Sequence, residues 1–207
     1  MTHSPLSVIE QNGKISSLKR VYTARNDIRL CLIFTREEIA AAVCRLADEI
    51  SRDYAGQDLL LIVVLKGAFI FAADLVRCLS LPHQIDFISL SSYSGMESSG
   101  RVTITKDIES LIEGRNVLVV EDIIDTGITL DFLLRYIAGK SPKSLKVCTL
   151  VDKEERRRVD IAADYTGIVC NRGFLVGYGL DMDGYCRELD AIYEVADVSP
   201  RGGLNDN

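Results

Sequence analysis

Residues 117–129 read VLVVEDIIDTGIT. Four aliphatic residues run straight into Glu121 and Asp122, two isoleucines follow, and then come Asp125, Thr126 and Gly127. A short, continuous, β-branched run of this kind is the pattern of a strand covered on both faces, as in a parallel sheet. The strand is read as residues 116–122, ending in the acids. Carboxylates at a buried strand end are costly unless something pairs with them. Beyond Gly127 the apolar spacing turns helical and runs to about Ala138, where Gly139 stops it. The stretch is a strand, a turn and a helix, with three acids gathered at the joint.

Two further runs have the same character, LLLIVVL (59–65) and LKVCTLV (145–151). The first leads through Lys66-Gly67 into a helical pattern from Phe69 to about Leu79. HQIDFISLSSY (83–93) reads as another strand, and VTIT as a short returning one. Between them SGMESSGR (94–101) is small, polar and glycine-containing, the composition of a mobile loop. Upstream, IRLCLIF (28–34) has strand character. Thr35 and Glu38 then fit a capping box, and Ile39, Val43, Leu46, Ala47 and Ile50 form one apolar helical face. YTGIVC and FLVGYGL are shorter late segments. Residues up to about Leu18 read as a loose polar arm, and those from Ser199 as a disordered tail. Strands alternating with helices define an α/β fold with a central, mainly parallel sheet flanked by helices. The expected layout is one domain, its core at about 28–170, with a small hood from residues 1–27 and 171–198.

The totals narrow the function. The 207 residues are 47% hydrophobic and 26% charged, as in an ordinary globular protein. A net charge of −6 argues against a general nucleic-acid binder. With two histidines and no C-x-x-C spacing among six cysteines, a zinc site is not expected. The polar N-terminus does not resemble a signal peptide, and no apolar run approaches the ~20 residues of a membrane span. A reducing cytoplasm fits the cysteines best.

Ligands of open parallel sheets bind beyond the carboxyl ends of the strands. Lys66-Gly67, Glu121-Asp122 and Asp152-Lys153 stand at three such ends, so they share one crevice if the strands are neighbours. Asp125-Thr-Gly-Ile-Thr129 is a strand-to-helix turn whose free N–H groups suit a phosphate, with the Thr126 and Thr129 hydroxyls as further donors. A plain helix cap is the alternative reading of the turn alone. Acids beside a phosphate must face hydroxyls, a proton or a metal ion, and ribose hydroxyls with Mg²⁺ satisfy them all.

With those residues in view, VLVVEDIIDTGIT resembles the 5-phosphoribosyl-1-diphosphate (PRPP) motif of type I phosphoribosyltransferases. The nearest likeness is to their purine branch, which uses hypoxanthine and guanine. LIVVLKGAFIFAADL is similar to that family's pyrophosphate loop, Ser92-Tyr93 to the start of its closing loop and TLVDK to its base-contacting lysine segment. GFLVGYGLD with Tyr185-Cys186-Arg187 is similar to its purine hood. The segments cover about residues 28–195 in the family's order.

The resemblance implies a phosphoribosyltransferase fold and transfer of phosphoribose from PRPP to N9 of a 6-oxopurine. It implies that Glu121 and Asp122 receive the ribose hydroxyls, directly or through Mg²⁺. Asp125, Thr126, Gly127, Ile128 and Thr129 would hold the 5′-phosphate, and Asp125 would be general base toward N7. Lys66 and Gly67 would meet pyrophosphate, across a peptide that can be cis in the family. Lys153 would donate to the 6-oxo group, Phe174 would stack on the ring, and Leu175 and Asp181 would meet its far edge. Asp181 would also hold a second Mg²⁺, and Arg187 would pair with pyrophosphate. The loop after Ser92 would close over the site, and relatives are dimers or tetramers.

One departure stands out. Ile128 occupies a position that is often lysine among relatives, so one local positive charge is absent. The run KEERRR after Asp152 reads by default as a solvated face. Two rival functions fit the same fold: a nucleotide-binding regulator, which needs no acid at Asp125, and a transferase preferring xanthine. Neither a nucleic acid nor a membrane is an expected partner; PRPP and a purine base are.

Overall fold

The computed structural model describes residues 7–11, 14–22, 26–92 and 102–200. In chain order the elements are β1 (Ser7–Gln11), β2 (Lys14–Tyr22), β3 (Asn26–Phe34), α1 (Arg36–Asp53), β4 (Leu59–Leu65), α2 (Phe69–Cys78) and β5 (His83–Ser92). There follow β6 (Val102–Lys106), β7 (Asn116–Ile124), α3 (Ile128–Ala138), β8 (Ser144–Asp152), a 3₁₀ turn (Glu154–Arg156), β9 (Tyr165–Val169), β10 (Leu175–Val176) and β11 (Ile192–Pro200). Residues 40–171 form one compact unit; the residues before and after them form a second.

The larger unit is a sheet in the order β6-β5-β4-β7-β8-β9. All its pairings are parallel except β5 with β6. Successive strand residues face opposite sides. Leu60, Ile62, Val64, Val117 and Val119 pack with Leu130, Leu133 and Ile137 of α3. Leu59, Leu61, Val63, Leu118 and Val120 on the other side are equally buried. Double coverage is why these strands are aliphatic throughout rather than alternating. Asn116 sets the register at the strands' amino ends. Its Nδ2 donates to the Asp58 carbonyl at 3.1 Å, and its Oδ1 accepts from Ser144 Oγ at 2.8 Å. The starts of β4, β7 and β8 are thereby tied together.

Helix α1 opens with both bonds of the capping box. Thr35 N donates to Glu38 Oε2 at 2.9 Å, and Glu38 N to Thr35 Oγ1 at 3.2 Å.

The smaller unit is an antiparallel sheet in the order β1-β2-β3-β11-β10. Its core comprises Ile28, Leu30, Val176, Cys186, Leu189, Ala191 and Tyr193. Several sequence expectations are corrected here. IRLCLIF does not open the parallel core; it forms β3, paired with β2 and β11. The core boundary near residue 28 therefore moves to about residue 40. The N-terminal arm contains two paired strands, with Gln11 opposite Lys14. Asn12-Gly13 between them is the dipeptide that favours two-residue hairpin connections, a signal present in the sequence. Ser199 and Pro200 belong to β11, opposite Asp27 and Asn26, so the strand runs past the expected start of the tail. The loop at 94–101, the first residues of the arm and the last seven of the tail lie outside the described residues.

Candidate active site

The parallel order places β4, β7 and β8 side by side, so their carboxyl ends share one edge. Lys66-Gly67 leaves β4 there, the acidic joint leaves β7, and Lys153 leaves β8.

At the end of β4 the Leu65–Lys66 peptide is cis. The resemblance left a cis peptide open at Lys66–Gly67; the cis bond lies one residue earlier, where the strand's last residue hands over to the turn. Gly67 abuts Asp122: a Cβ built on it would fall 1.7 Å from Asp122 Oδ2. Any larger residue here would have to push this carboxylate aside.

Strand β7 runs on through Glu121 and Asp122 to Ile124. The acids therefore lie inside the strand, not at its tip as expected from the sequence. The ladder to β8 persists, with Glu121 opposite Thr149 and Ile124 opposite Asp152. Asp122 is buried and its Oδ1 accepts from Ile123 N at 2.9 Å. Glu121 has no side-chain ion pair among the described residues. Burial pushes its carboxyl well above the usual carboxylate range, and the neighbouring Asp122 charge adds to this.

The joint itself is a tight turn. Gly127 has φ +81° and forms the N-cap of α3 without a side-chain cap bond. The first bond into the helix runs from Asp131 N to the Gly127 carbonyl at 2.8 Å, so the preceding N–H groups are free of helical partners. Ile128 and Thr129 stand exposed at this end, beside the half-buried Thr126. The turn can hold an anion through main-chain groups and the helix dipole, with no lysine at position 128.

Asp125 presents an unusual carboxylate. Its Oδ1 is shielded from solvent and lacks a hydrogen-bond partner. Arg156 Nε is 3.1 Å away, an ion pair by distance but not aligned as a hydrogen bond. Arg157 donates through Nη1 to the Asp125 carbonyl at 3.1 Å and through Nη2 to Asp152 Oδ1. The arginines after Lys153, read from sequence as a solvated face, thus include two that engage the joint. Nothing local marks them, because their partners are distant in sequence. Lys153 itself is only 3% exposed, a burial that suits a residue reading a specific polar group.

Of the remaining expected site residues, Phe174, Leu175, Asp181 and Arg187 belong to the smaller unit and Ser92 to the larger. Phe174 is 52% exposed, so it is not a core residue and its ring is available for stacking. Leu175 lies in β10 opposite Glu194. Arg187 Nη2 pairs with Asp181 Oδ1 at 2.7 Å, and its Nη1 donates to the Gly179 carbonyl at 2.6 Å. Gly184 N donates to Asp181 Oδ2 at 2.7 Å. Both oxygens of Asp181 are thus engaged, an arrangement unlike the open carboxylate expected for a second metal ion. Ser92 ends β5 opposite Val102, and Tyr93 lies outside the described residues.

The family model for the phosphoribosyl transferase domain matches residues 33–183. The chain belongs to the phosphoribosyltransferase family. It is 46% identical over 171 residues to the hypoxanthine-guanine phosphoribosyltransferase of Aquifex aeolicus, a match spanning 82% of this chain and 96% of that protein. It is 41% identical over 162 residues to the hypoxanthine-guanine-xanthine phosphoribosyltransferase of Tritrichomonas foetus, spanning 78% and 88%. A crystal structure of a hypoxanthine-guanine phosphoribosyltransferase from Bacillus anthracis superposes with TM-score 0.76 at 47% identity, covering 79% of this chain and 97% of that one. Within the family the chain groups with the hypoxanthine-guanine phosphoribosyltransferases, and it is an enzyme, which favours catalysis over the regulatory reading.

Proposed function

We propose that the chain transfers the 5-phosphoribosyl group of PRPP to N9 of hypoxanthine or guanine, giving IMP or GMP and pyrophosphate in purine salvage. The observation that carries the reading is the shared sheet edge, which gathers Lys66-Gly67, Glu121-Asp122, the Asp125–Gly127 turn and Lys153. Main-chain N–H groups of the turn and the hydroxyls of Thr126 and Thr129 hold the 5′-phosphate. Glu121 and Asp122 face the ribose hydroxyls. Lys66 and Gly67 meet the pyrophosphate, with Arg187 as a second cationic contact once released from Asp181. Phe174 stacks on the purine, whose far edge meets Leu175.

Asp125 accepts the N7 proton as N9 bonds to the sugar. The shielded Oδ1 pairs with Arg156 by charge but accepts no hydrogen bond, which supports this role, since a base needs a lone pair not already committed to a donor. Lys153 donates to the 6-oxo group. Adenine would set its amino group against the ammonium, a loss of about 1–3 kcal/mol for an unmet buried donor.

The donor set also fits Mg²⁺. Glu121 and Asp122 are hard oxygen donors, and no cluster of three or more acidic, His or Cys side chains among the described residues could cage a metal. Mg²⁺ characteristically takes one or two carboxylates and completes its shell with water and phosphate oxygens. When bound it would offset the charge of the leaving diphosphate. The chain works as a homodimer or homotetramer in the cytoplasm. In support of that compartment, all six cysteines are free thiols.

The test is a spectrophotometric assay with PRPP, Mg²⁺ and each of hypoxanthine, guanine, xanthine and adenine. Turnover with the 6-oxopurines and not adenine is expected; no turnover with any purine would refute the proposal. Asp125→Asn should lower kcat by about 10²–10⁴-fold. An unchanged rate would remove Asp125 from the role of base.

A further inference from the structure

Three successive carbonyls of the acidic joint are all taken by one short segment. Lys153 N donates to the Ile124 carbonyl at 2.9 Å and Arg158 N to the Thr126 carbonyl at 2.9 Å. Between them, the Asp125 carbonyl accepts from Arg157 Nη1 at 3.1 Å. The outer two stitches are main chain to main chain and survive most substitutions. The middle one is a side chain, and it holds the peptide that carries Asp125.

Arg157 is itself anchored. Its other terminal nitrogen pairs with Asp152, and the two side chains are only 14% and 6% exposed. Its Cδ lies 3.1 Å from the place a Cβ on Gly127 would occupy, beside Val159. The guanidinium therefore spans from the last residue of β8 to the middle of the β7–α3 turn. Its planar fork serves a carboxylate and a carbonyl together; a lysine ammonium, with one nitrogen, cannot hold both in this geometry. With the carbonyls turned toward the segment, the turn's N–H groups and the Asp125 side chain keep their orientation.

We infer that Arg157 is a positioning residue for the reaction, acting through the Asp125 peptide. The strap at 153–158 begins at Lys153, so the residue reading the purine and the residue taking its proton share one scaffold. This rests on the assignment of Asp125 as general base.

The experiment is a double-mutant cycle on the full-length enzyme, combining Arg157→Lys with Asp125→Asn. Steady-state constants are normalised to folded protein at a temperature well below Tm. Arg157→Lys alone should lower kcat by roughly 10–100-fold, the scale set by small misplacements of reacting groups. In the Asp125→Asn background the effect of Arg157→Lys on kcat should fall to less than about threefold, because coupled residues are non-additive. The same fold-loss in both backgrounds, or unchanged constants with only a lowered Tm, would overturn the inference. If Arg157→Lys fails to fold, Asp152→Asn, which weakens the anchor while keeping its shape, should give the same split; constants unchanged in that variant would count equally against it. Should Asp125→Asn alone leave kcat intact, the base assignment fails, a result distinct from additivity with Arg157.

Discussion

Gly67 and Asp122 come from different strands, yet each explains the other. Asp122 is buried, and its Oδ2 lies where any side chain at position 67 would have to go. Gly67→Ala should push the carboxylate away from its place beside the turn. The expected result is a higher KM for PRPP and a loss of about 1–3 kcal/mol in urea stability from overpacking. Wild-type kinetics in that variant would mean the loop relaxes freely. Glycine at this position was visible in the sequence as part of the pyrophosphate-loop likeness. Its steric reason was not, because Asp122 is its neighbour only after β4 and β7 pair. Ile128 illustrates the opposite case. Its absent charge was legible from the sequence, and its exposure at the first position of α3 agrees with a cradle made by main-chain groups.

The elements are held by devices of different legibility. The capping box of α1 spans four consecutive residues and could be read directly, since both its bonds are local. Asp86 on β5 does comparable work without a local signature. Its carboxylate accepts from Phe87 N at 2.7 Å, Glu109 N at 2.8 Å and Ser110 N at 2.7 Å, tying the segment after β6 to the strand. Burial pushes this carboxyl upward, but the amides of Ser110, Phe87 and Glu109 and the Ser110 hydroxyl together outweigh it and hold it below the usual value. A lowered folded value means the stabilisation is complete above the unfolded value of about 4 and fades as pH falls through the folded one. Urea midpoints measured from neutral to acid pH should therefore show Asp86→Asn clearly less stable than wild type at pH 7, with the gap narrowing below about pH 4. A gap independent of pH would assign the loss to packing alone. The acids of β7 show a limit of pattern reading. The aliphatic run suggested a strand ending at Asp122, whereas pairing with β8 carries it to Ile124. Ladder bonds to a neighbour outweigh the cost of polar residues within the strand.

Across the molecule, the parallel sheet of the larger unit was the most legible feature, and β3 the least. The central strands β4, β7 and β8 needed only their composition, because burial on both faces demands aliphatic residues at every position. Leu118 in β7 is fully buried, and Leu118→Ala should cost about 2–5 kcal/mol, lowering Tm by several degrees in a thermal melt. A change below ~1 kcal/mol would mean the surrounding side chains collapse into the space. Residues 28–34 have equally strand-like composition, yet they join the antiparallel sheet through β2 and β11. Nothing in seven residues records which sheet will accept them.

The amino-acid sequence by itself determined the α/β alternation, the buried strands, the turn at Gly127 and the residue types able to meet a phosphate, a ribose and a purine. These follow from period, composition and short-range backbone chemistry, all of which act between near neighbours. Only the tertiary structure decided that Gly67 must clear Asp122, that Asp125 Oδ1 lies shielded without a hydrogen bond, and that Arg157 reaches both Asp152 and the Asp125 carbonyl. Those facts depend on which strand ends the sheet sets beside one another, and sheet order is chosen by long-range packing that no local pattern encodes.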